Sequence, residues 1–301
     1  MPRPGRVIAV ANMKGGVGKT TTVVMLAEAL AADGNRVLVI DLDAQASVSY
    51  SLGGNALLRQ LFLEERTISY FLEDVFVDGK QRKITQFIRN QVTTTTYKAN
   101  LLSVSLIAAD PTLRYVERYL LSALIKKGFD IDALSKRIWT RMEREIPPLQ
   151  QEYDYIFFDC APGISLLTEV AIRGADMVLL PTIPDSMSTL GLSAFSNSFW
   201  RGPLAQSTSL PMPRRLPYVL FSRCQNIRIH NLTRERMRLE AASMDPPYYL
   251  FKTVIPQAAI LADVCTDQPG RTFQAKYGPV ITTALNQLLG EMKDILDGHP
   301  S

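Results

Sequence analysis

At 301 residues, with 47% hydrophobic and 21% charged side chains, the chain is long enough for one large α/β domain or two small ones and is expected to fold as a globular protein. It has no apolar run of about 18 residues, which excludes a membrane-spanning helix, and its net charge of +4 is too small by itself to imply nucleic acid. Cys160, Cys224 and Cys265 are odd in number and far apart, and His230 and His299 are isolated, which argues for a reducing compartment and against a disulfide framework or a metal site built from these residues.

The basic opening Met1-Pro2-Arg3-Pro4-Gly5-Arg6 leads straight into an apolar, β-branched segment at residues 7–11, so it is not read as a signal peptide. That segment predicts a buried strand, and residues 22–32, free of Gly and Pro, predict a helix. Between them lies Met13-Lys14-Gly15-Gly16-Val17-Gly18-Lys19-Thr20-Thr21. Strand, glycine loop and helix in this order are the context of a phosphate-binding loop. Glycines let backbone N–H groups curl around an anion without Cβ clashes, and the helix N-terminus adds its partial positive charge at the same point. Lys19 is expected to reach the β- and γ-phosphates, and the Thr20 hydroxyl to hold Mg²⁺.

Gly34-Asn35 closes this helix, and residues 37–40 predict a second strand running into Asp41-Leu42-Asp43-Ala44-Gln45. Acids at the carboxyl end of a parallel strand lie where open α/β sheets bind their ligands. Helices are expected over residues 57–63 and 69–76, Thr93-Thr94-Thr95-Thr96 favours extended structure, and residues 101–107 predict a strand. Asp110-Pro111 reads as the N-cap and first position of a helix, with Leu113, Val116, Leu120 and Leu124 as its apolar stripe and Gly128 at its end. The next helix, residues 131–146, turns Leu134, Ile138 and Met142 inward and is expected to stop at Pro147-Pro148. Tyr155-Ile156-Phe157-Phe158-Asp159 reads as a central buried strand that carries Asp159 to Mg²⁺, a Walker B arrangement, and Cys160-Ala161-Pro162-Gly163 follows it. Strands at 175–181 and 217–221 flank a helix at 188–199, residues 253–256 read as a late strand, and a last helix carries Ile281, Leu285, Leu288, Met292 and Ile295 on one face. Without a linker or an internal repeat, residues 1–301 are read as a single P-loop ATPase domain, a mostly parallel twisted sheet with helices on both faces.

The glycine loop departs from the common pattern: Met13 stands where the first glycine is usual, and a second lysine, Lys14, precedes the glycines. In this it resembles the deviant Walker A loop of the ParA/MinD family of ATPases. The resemblance extends to residues 41–45 and 155–163 and spans the chain from Val7 to about Met292. It implies ATP and Mg²⁺ as cofactors, held by Lys14, Gly15, Gly16, Val17, Gly18, Lys19, Thr20 and Thr21. It further implies that Lys14 crosses a dimer interface to the partner's nucleotide and that Asp43 positions the attacking water. Lys14, Lys19 and Asp43 are then the catalytic set, and Thr20, Asp43 and Asp159 the metal set. Gly163 stands where the family has serine, offers a backbone N–H near the γ-phosphate and can hinge. By the same resemblance Ser222 contacts the adenine, and Pro256 ends the strand that borders the base.

What such an ATPase drives is a separate question. The reading taken is a ParA-type partitioning or positioning ATPase, cytoplasmic and nucleoid-associated. It forms a homodimer on ATP, binds non-specific double-stranded DNA, and hydrolyses ATP when a ParB-like or adaptor protein stimulates it. A MinD-like membrane-cycling ATPase needs a basic amphipathic C-terminal helix, whereas this chain ends in Glu291-Met292-Lys293-Asp294-Ile295-Leu296-Asp297, so no membrane is expected. A metabolic ATPase or ligase of the same superfamily is the other alternative. No further domain is expected ahead of the loop, and in this the chain resembles the short form of ParA. Between residues 200 and 240 stand eight arginines against two acids, Glu235 and Glu240. ParA relatives place non-specific DNA contacts in this part of the chain, and arginine forks onto phosphate oxygens. Arg201, Arg214, Arg215, Arg228, Arg234 and Arg238 are the expected DNA contacts, with Arg234 and Arg238 on one helix face.

Overall fold

The computed structural model describes residues 3–298 apart from 127, 129, 203–204, 206–207 and 267–269; His299 and the side chain of Leu124 lie outside the described residues. Seven strands form one sheet: β1 (Arg6–Val10), β2 (Val37–Leu42), β5 (Val104–Ile107), β6 (Tyr155–Cys160), β7 (Met177–Thr182), β8 (Tyr218–Phe221) and β9 (Tyr249–Leu250). Their order is β5-β2-β6-β1-β7-β8-β9, with every pairing parallel. β3 (Thr96–Tyr97) and β4 (Asn100–Leu101) make a small antiparallel pair of their own.

Successive side chains of a strand point to opposite faces. Val7 and Ala9 of β1 accordingly enter one core and Ile8 and Val10 the other. The first core is closed by α4 (Leu113–Lys126), α5 (Ile131–Glu152), α6 (Leu166–Gly174) and α7 (Ser186–Ser196), the second by α1 (Lys19–Ala32) and α9 (Phe273–Asp297). Of the other helices, α2 (Ser47–Leu63) and α3 (Ile68–Leu72) follow β2, and α8 (Arg228–Ala241) lies between β8 and β9. The mostly parallel sheet covered on both faces is the α/β fold expected from the sequence.

Several boundaries differ from expectation, each for a local reason. α5 runs through Pro147 and Pro148 to Glu152. The two prolines leave the carbonyls of Glu143 and Arg144 without their usual donors, but both residues are exposed, where solvent can take the donors' place. α4 begins at Leu113 rather than after Asp110, because the Asp110 carboxylate turns onto the Thr112 N–H at 2.8 Å and also takes the Thr67 hydroxyl. The stretch 101–107 splits between β4 and β5. The last strand of the sheet is β9, whereas residues 253–256 only bridge Cys224 through Pro256.

β1 occupies the middle of the sheet, between β6 and β7. The loop after β1 and the acids ending β2 and β6 therefore emerge side by side. Asp41 of β2 is the register partner of Asp159 of β6, and Asp159 is that of Val10.

Candidate nucleotide site

The glycine loop leaves β1 and enters α1 with Gly16 at φ 77° and Gly18 at φ 90°, left-handed values that glycine adopts without a Cβ penalty. The N–H groups of Gly15, Gly16, Val17 and Gly18 find no acceptor among the described residues. A Cβ added to Gly15 or Gly16 would meet nothing within 4 Å. The loop is thus an open ring of unmatched donors at a helix N-terminus, which suits a phosphate.

Lys19 is 7% exposed, and its Nζ donates to the Lys14 carbonyl at 3.1 Å. Burial pulls its pKa down, opposed by the nearby carboxylates of Asp159 and Asp43. The Thr20 hydroxyl donates to Asp159 Oδ2 at 2.9 Å. The other oxygen of that carboxylate, Oδ1, is buried without a partner. Asp41 is fully buried; it accepts from the Ser49 hydroxyl at 2.6 Å, the Ser49 N–H at 3.1 Å and the Asp43 N–H at 3.0 Å. Burial pushes the Asp41 carboxyl up to about 7. Burial, with Asp41 alongside, pushes Asp159 well above the usual carboxylate range. A hard divalent cation against Asp159 would relieve that penalty and would suit a buried oxygen that lacks a partner. Among the described residues no three His, Cys, Asp or Glu side chains are grouped to hold a metal unaided. Mg²⁺ at a phosphate site needs only one or two protein oxygens beside phosphates and waters, so Thr20 and Asp159 fit it. Asp43 is 9% exposed, accepts the Gln45 N–H at 2.9 Å and faces the same cleft.

That cleft holds about 720 Å³. Its lining combines the polar Gly15, Lys19, Thr20 and Asp43 with the apolar Met25, Ile255, Ala258, Leu261 and Cys265. That mixture suits a ligand with a charged tail and a flat base.

Three expected contacts are placed otherwise. Lys14 does not line the cleft; its Nζ donates to Ser188 Oγ at 3.1 Å, beside Asp185 at 3.9 Å, at the start of α7. The Gly163 N–H is turned onto the Asn12 carbonyl at 3.2 Å, and Pro162 rather than Gly163 lines the cleft. Pro256 is flanked by the lining residues Ile255 and Gln257 without being one of them. Ser222 does line the cleft, but its hydroxyl is given to the Val17 carbonyl at 2.7 Å. Arg223, not singled out as a site residue from the sequence, lines the cleft too and donates from Nη1 to the Gly16 carbonyl at 3.1 Å.

The arginines of residues 200–240 do not form one open patch. Arg201 is clasped by Asp245 at 2.7 Å, Arg214 pairs with Asp176, and Arg215 donates to the Ile295 carbonyl at 2.7 Å. Two of the neutralising acids, Asp176 and Asp245, come from outside the segment, which is why its local charge misleads. Arg234 lies half-buried with its guanidinium 6.0 Å from the Phe221 ring, whereas Arg238 is exposed and 3.5 Å from Glu235, so the two are unlike despite their spacing. Arg228, also exposed, has no ion-pair partner among the described residues. No helix among the described residues is long and apolar enough to cross a membrane.

The AAA-domain family pattern matches residues 5–202. The sporulation initiation inhibitor protein Soj of Bacillus subtilis is 29% identical over 194 residues, 64% of this chain and 64% of that protein. The chain thus spans just under two thirds of that relative's length. Two solved structures share the fold. A plasmid partition protein of Borrelia burgdorferi bound to AMPPNP superposes with a TM-score of 0.65 at 19% identity, covering 97% of this chain and 99% of that one. A ParA of pNOB8 bound to nonspecific DNA does so with a TM-score of 0.61 at 19% identity, covering 96% and 99%. Sequence pattern, central phosphate loop and flanking acids agree, and the chain belongs to the AAA-domain family, with a P-loop of the ParA/MinD type.

Proposed function

We propose that the chain is a ParA-type partitioning or positioning ATPase that dimerises around Mg²⁺-ATP, binds DNA without sequence preference as the dimer, and releases it when a partner protein stimulates hydrolysis. One observation carries this reading: a ring of unmatched N–H donors is joined by Lys19, Thr20 and Asp159, while Lys14 of the same loop does not line the cleft and donates to Ser188 instead. A second loop lysine that the protein's own cleft does not use is available to a nucleotide held by another copy. Lys19 holds the β- and γ-phosphate charge, and Asp43 orients water toward the γ-phosphorus. Thr20 and Asp159 would hold Mg²⁺, which would supply charge neutralisation to the phosphoryl group. Lys14, freed from Ser188, reaches the partner copy's nucleotide.

The fold shared with a DNA-bound ParA supports the DNA arm. The exposed arginines of α8, Arg228 and Arg238, are the contacts this reading favours, at a cytoplasmic, nucleoid-associated location. The test is a salt titration of fluorescent random-sequence duplex with the Asp43→Ala protein. Binding should require ATP, ignore sequence, and weaken by about 0.9 log units per log unit of salt for each phosphate neutralised. Replacing Arg228 and Arg238 with Glu should weaken binding to every sequence alike. Binding that is absent at low salt, or equal with and without ATP, would overturn the DNA arm and leave a positioning ATPase that uses another surface.

A further inference from the structure

We infer that Ser222 and Arg223 form a two-point clamp that holds the glycine loop open for its anion, acting as positioning residues for phosphate rather than as contacts to the base. This rests on the nucleotide-binding reading above. Both follow β8, the second neighbour of β1 in the sheet. Ser222 is 4% exposed, anchored by its own N–H on the Thr182 carbonyl at 3.0 Å, and its Oγ donates to Val17 O at 2.7 Å. Arg223 Nη1 donates to Gly16 O at 3.1 Å. Two consecutive residues thus grip two consecutive loop carbonyls.

The consequence follows from peptide geometry. In a trans peptide the C=O and the following N–H lie in one plane and point opposite ways. Drawing the Gly16 carbonyl toward β8 turns the Val17 N–H away from β8, and drawing the Val17 carbonyl there does the same to the Gly18 N–H. These are two of the donors that find no acceptor among the described residues. Without the clamp the two peptides can rotate, and the ring would have to be ordered by the ligand itself, which weakens binding.

The backbone of Arg223 points to the same role. Its φ is 51°, a left-handed value that an arginine seldom holds. Such backbone persists where the surroundings over-determine it. Here the next residue is pinned on both sides, Cys224 N–H on Ile255 O at 3.0 Å and Cys224 O by the Gln257 N–H at 2.8 Å. The turn sends the guanidinium back over the loop. A hydroxyl has one proton, and that of Ser222 is engaged by Val17, so Ser222 cannot donate it to a base as well.

The experiment titrates two ligands in the presence of Mg²⁺, ATP and inorganic tripolyphosphate, which has the charged tail and no base. Ser222→Ala and Arg223→Gln should each weaken both ligands by the same factor, roughly 3- to 10-fold for one lost hydrogen bond. Ser222→Thr keeps the hydroxyl and should restore wild-type affinity. Arg223→Gly removes the guanidinium but relaxes the left-handed backbone, so it should lose affinity with no fall in Tm. Loss of ATP affinity with tripolyphosphate unchanged would make Ser222 a base contact and overturn the clamp. So would wild-type affinity in both variants, or an Arg223→Gly protein whose Tm falls along with its affinity. A wild-type protein that binds neither ligand would instead overturn the nucleotide reading on which the clamp rests.

Discussion

Lys276→Met isolates a buried charge arrangement outside the phosphate site. Glu28, on the same helix as Lys19, is 0% exposed. Its Oε1 accepts from Lys276 Nζ at 2.9 Å and from the Thr93 and Thr95 hydroxyls at 2.7 Å each, and its Oε2 from the Tyr277 hydroxyl at 2.7 Å. The arrangement ties α1 to α9 and to the segment ahead of β3. Met keeps the length of the lysine stem and deletes the ammonium. The three hydroxyls still donate, but none carries charge, so the carboxylate is left buried and uncompensated. Breaking a buried pair in this way costs about 3–5 kcal/mol, a large part of the roughly 5–15 kcal/mol that holds a folded domain together. Adding Glu28→Gln removes the stranded charge and keeps an acceptor for the hydroxyls, so the double variant should regain about 2 kcal/mol. Urea denaturation followed by circular dichroism reads both. With a slope of about 3 kcal/mol per molar urea, the single variant should lose about 1–1.7 M in midpoint at unchanged slope. A midpoint within about 0.2 M of wild type, or a double variant no better than Lys276→Met, would refute the reasoning.

Lys19→Ala should lower ATP affinity by roughly 10- to 100-fold, the worth of a charge-assisted contact, as read by calorimetry; wild-type affinity would mean that the loop is not the phosphate site. Asp43→Ala should keep ATP binding and slow hydrolysis, so that light scattering finds a persistent ATP dimer, and a monomer that still binds ATP would count against its role. Lys14→Ala should do the reverse, binding nucleotide through Lys19 while losing the dimer and any stimulated hydrolysis. Iodoacetamide at pH 8 should label Cys265, half-buried in the cleft, ahead of the buried Cys160 and Cys224. Burial pushes the Cys224 thiol up to about 11 and that of Cys160 higher still, which keeps both un-ionised. Saturating Mg²⁺-ATP should slow the Cys265 reaction in peptide mapping, and equal labelling with and without ATP would place the nucleotide elsewhere.

The parts of the site that were legible in the sequence are those whose chemistry demands adjacent residues. The loop from Met13 to Thr21 must supply glycines, a lysine and a hydroxyl in one turn of chain, and Asp41, Asp43 and Asp159 must end strands, so local patterns reveal them. What was not legible depends on which distant segments meet. The grip of Ser222 on Val17, of Lys14 on Ser188 and of Gly163 on Asn12 each joins residues that only the sheet order brings together. The arginines illustrate the limit of local charge: Asp176 and Asp245 answer Arg214 and Arg201 from outside the counted window. The continuation of α5 through two prolines was illegible for another reason, since the missing donors face water and cost little there.

The two edges of the sheet have a consequence for how copies of this chain can join. On one side, Arg89 exchanges both backbone hydrogen bonds with Leu106 at 2.8 Å, and the Val92 N–H reaches Val104 O at 3.0 Å, so β5 is already occupied along its outer side. On the other, β9 is two residues long, too short to template another strand. Main-chain pairing, the strongest and least selective way for one sheet to adhere to another, is therefore closed at both ends. Any association has to be built from side chains on loops and helices, whose arrangement a small molecule can alter. For the proposed ATP dimer, contact between copies therefore falls to those side chains rather than to the sheet edges.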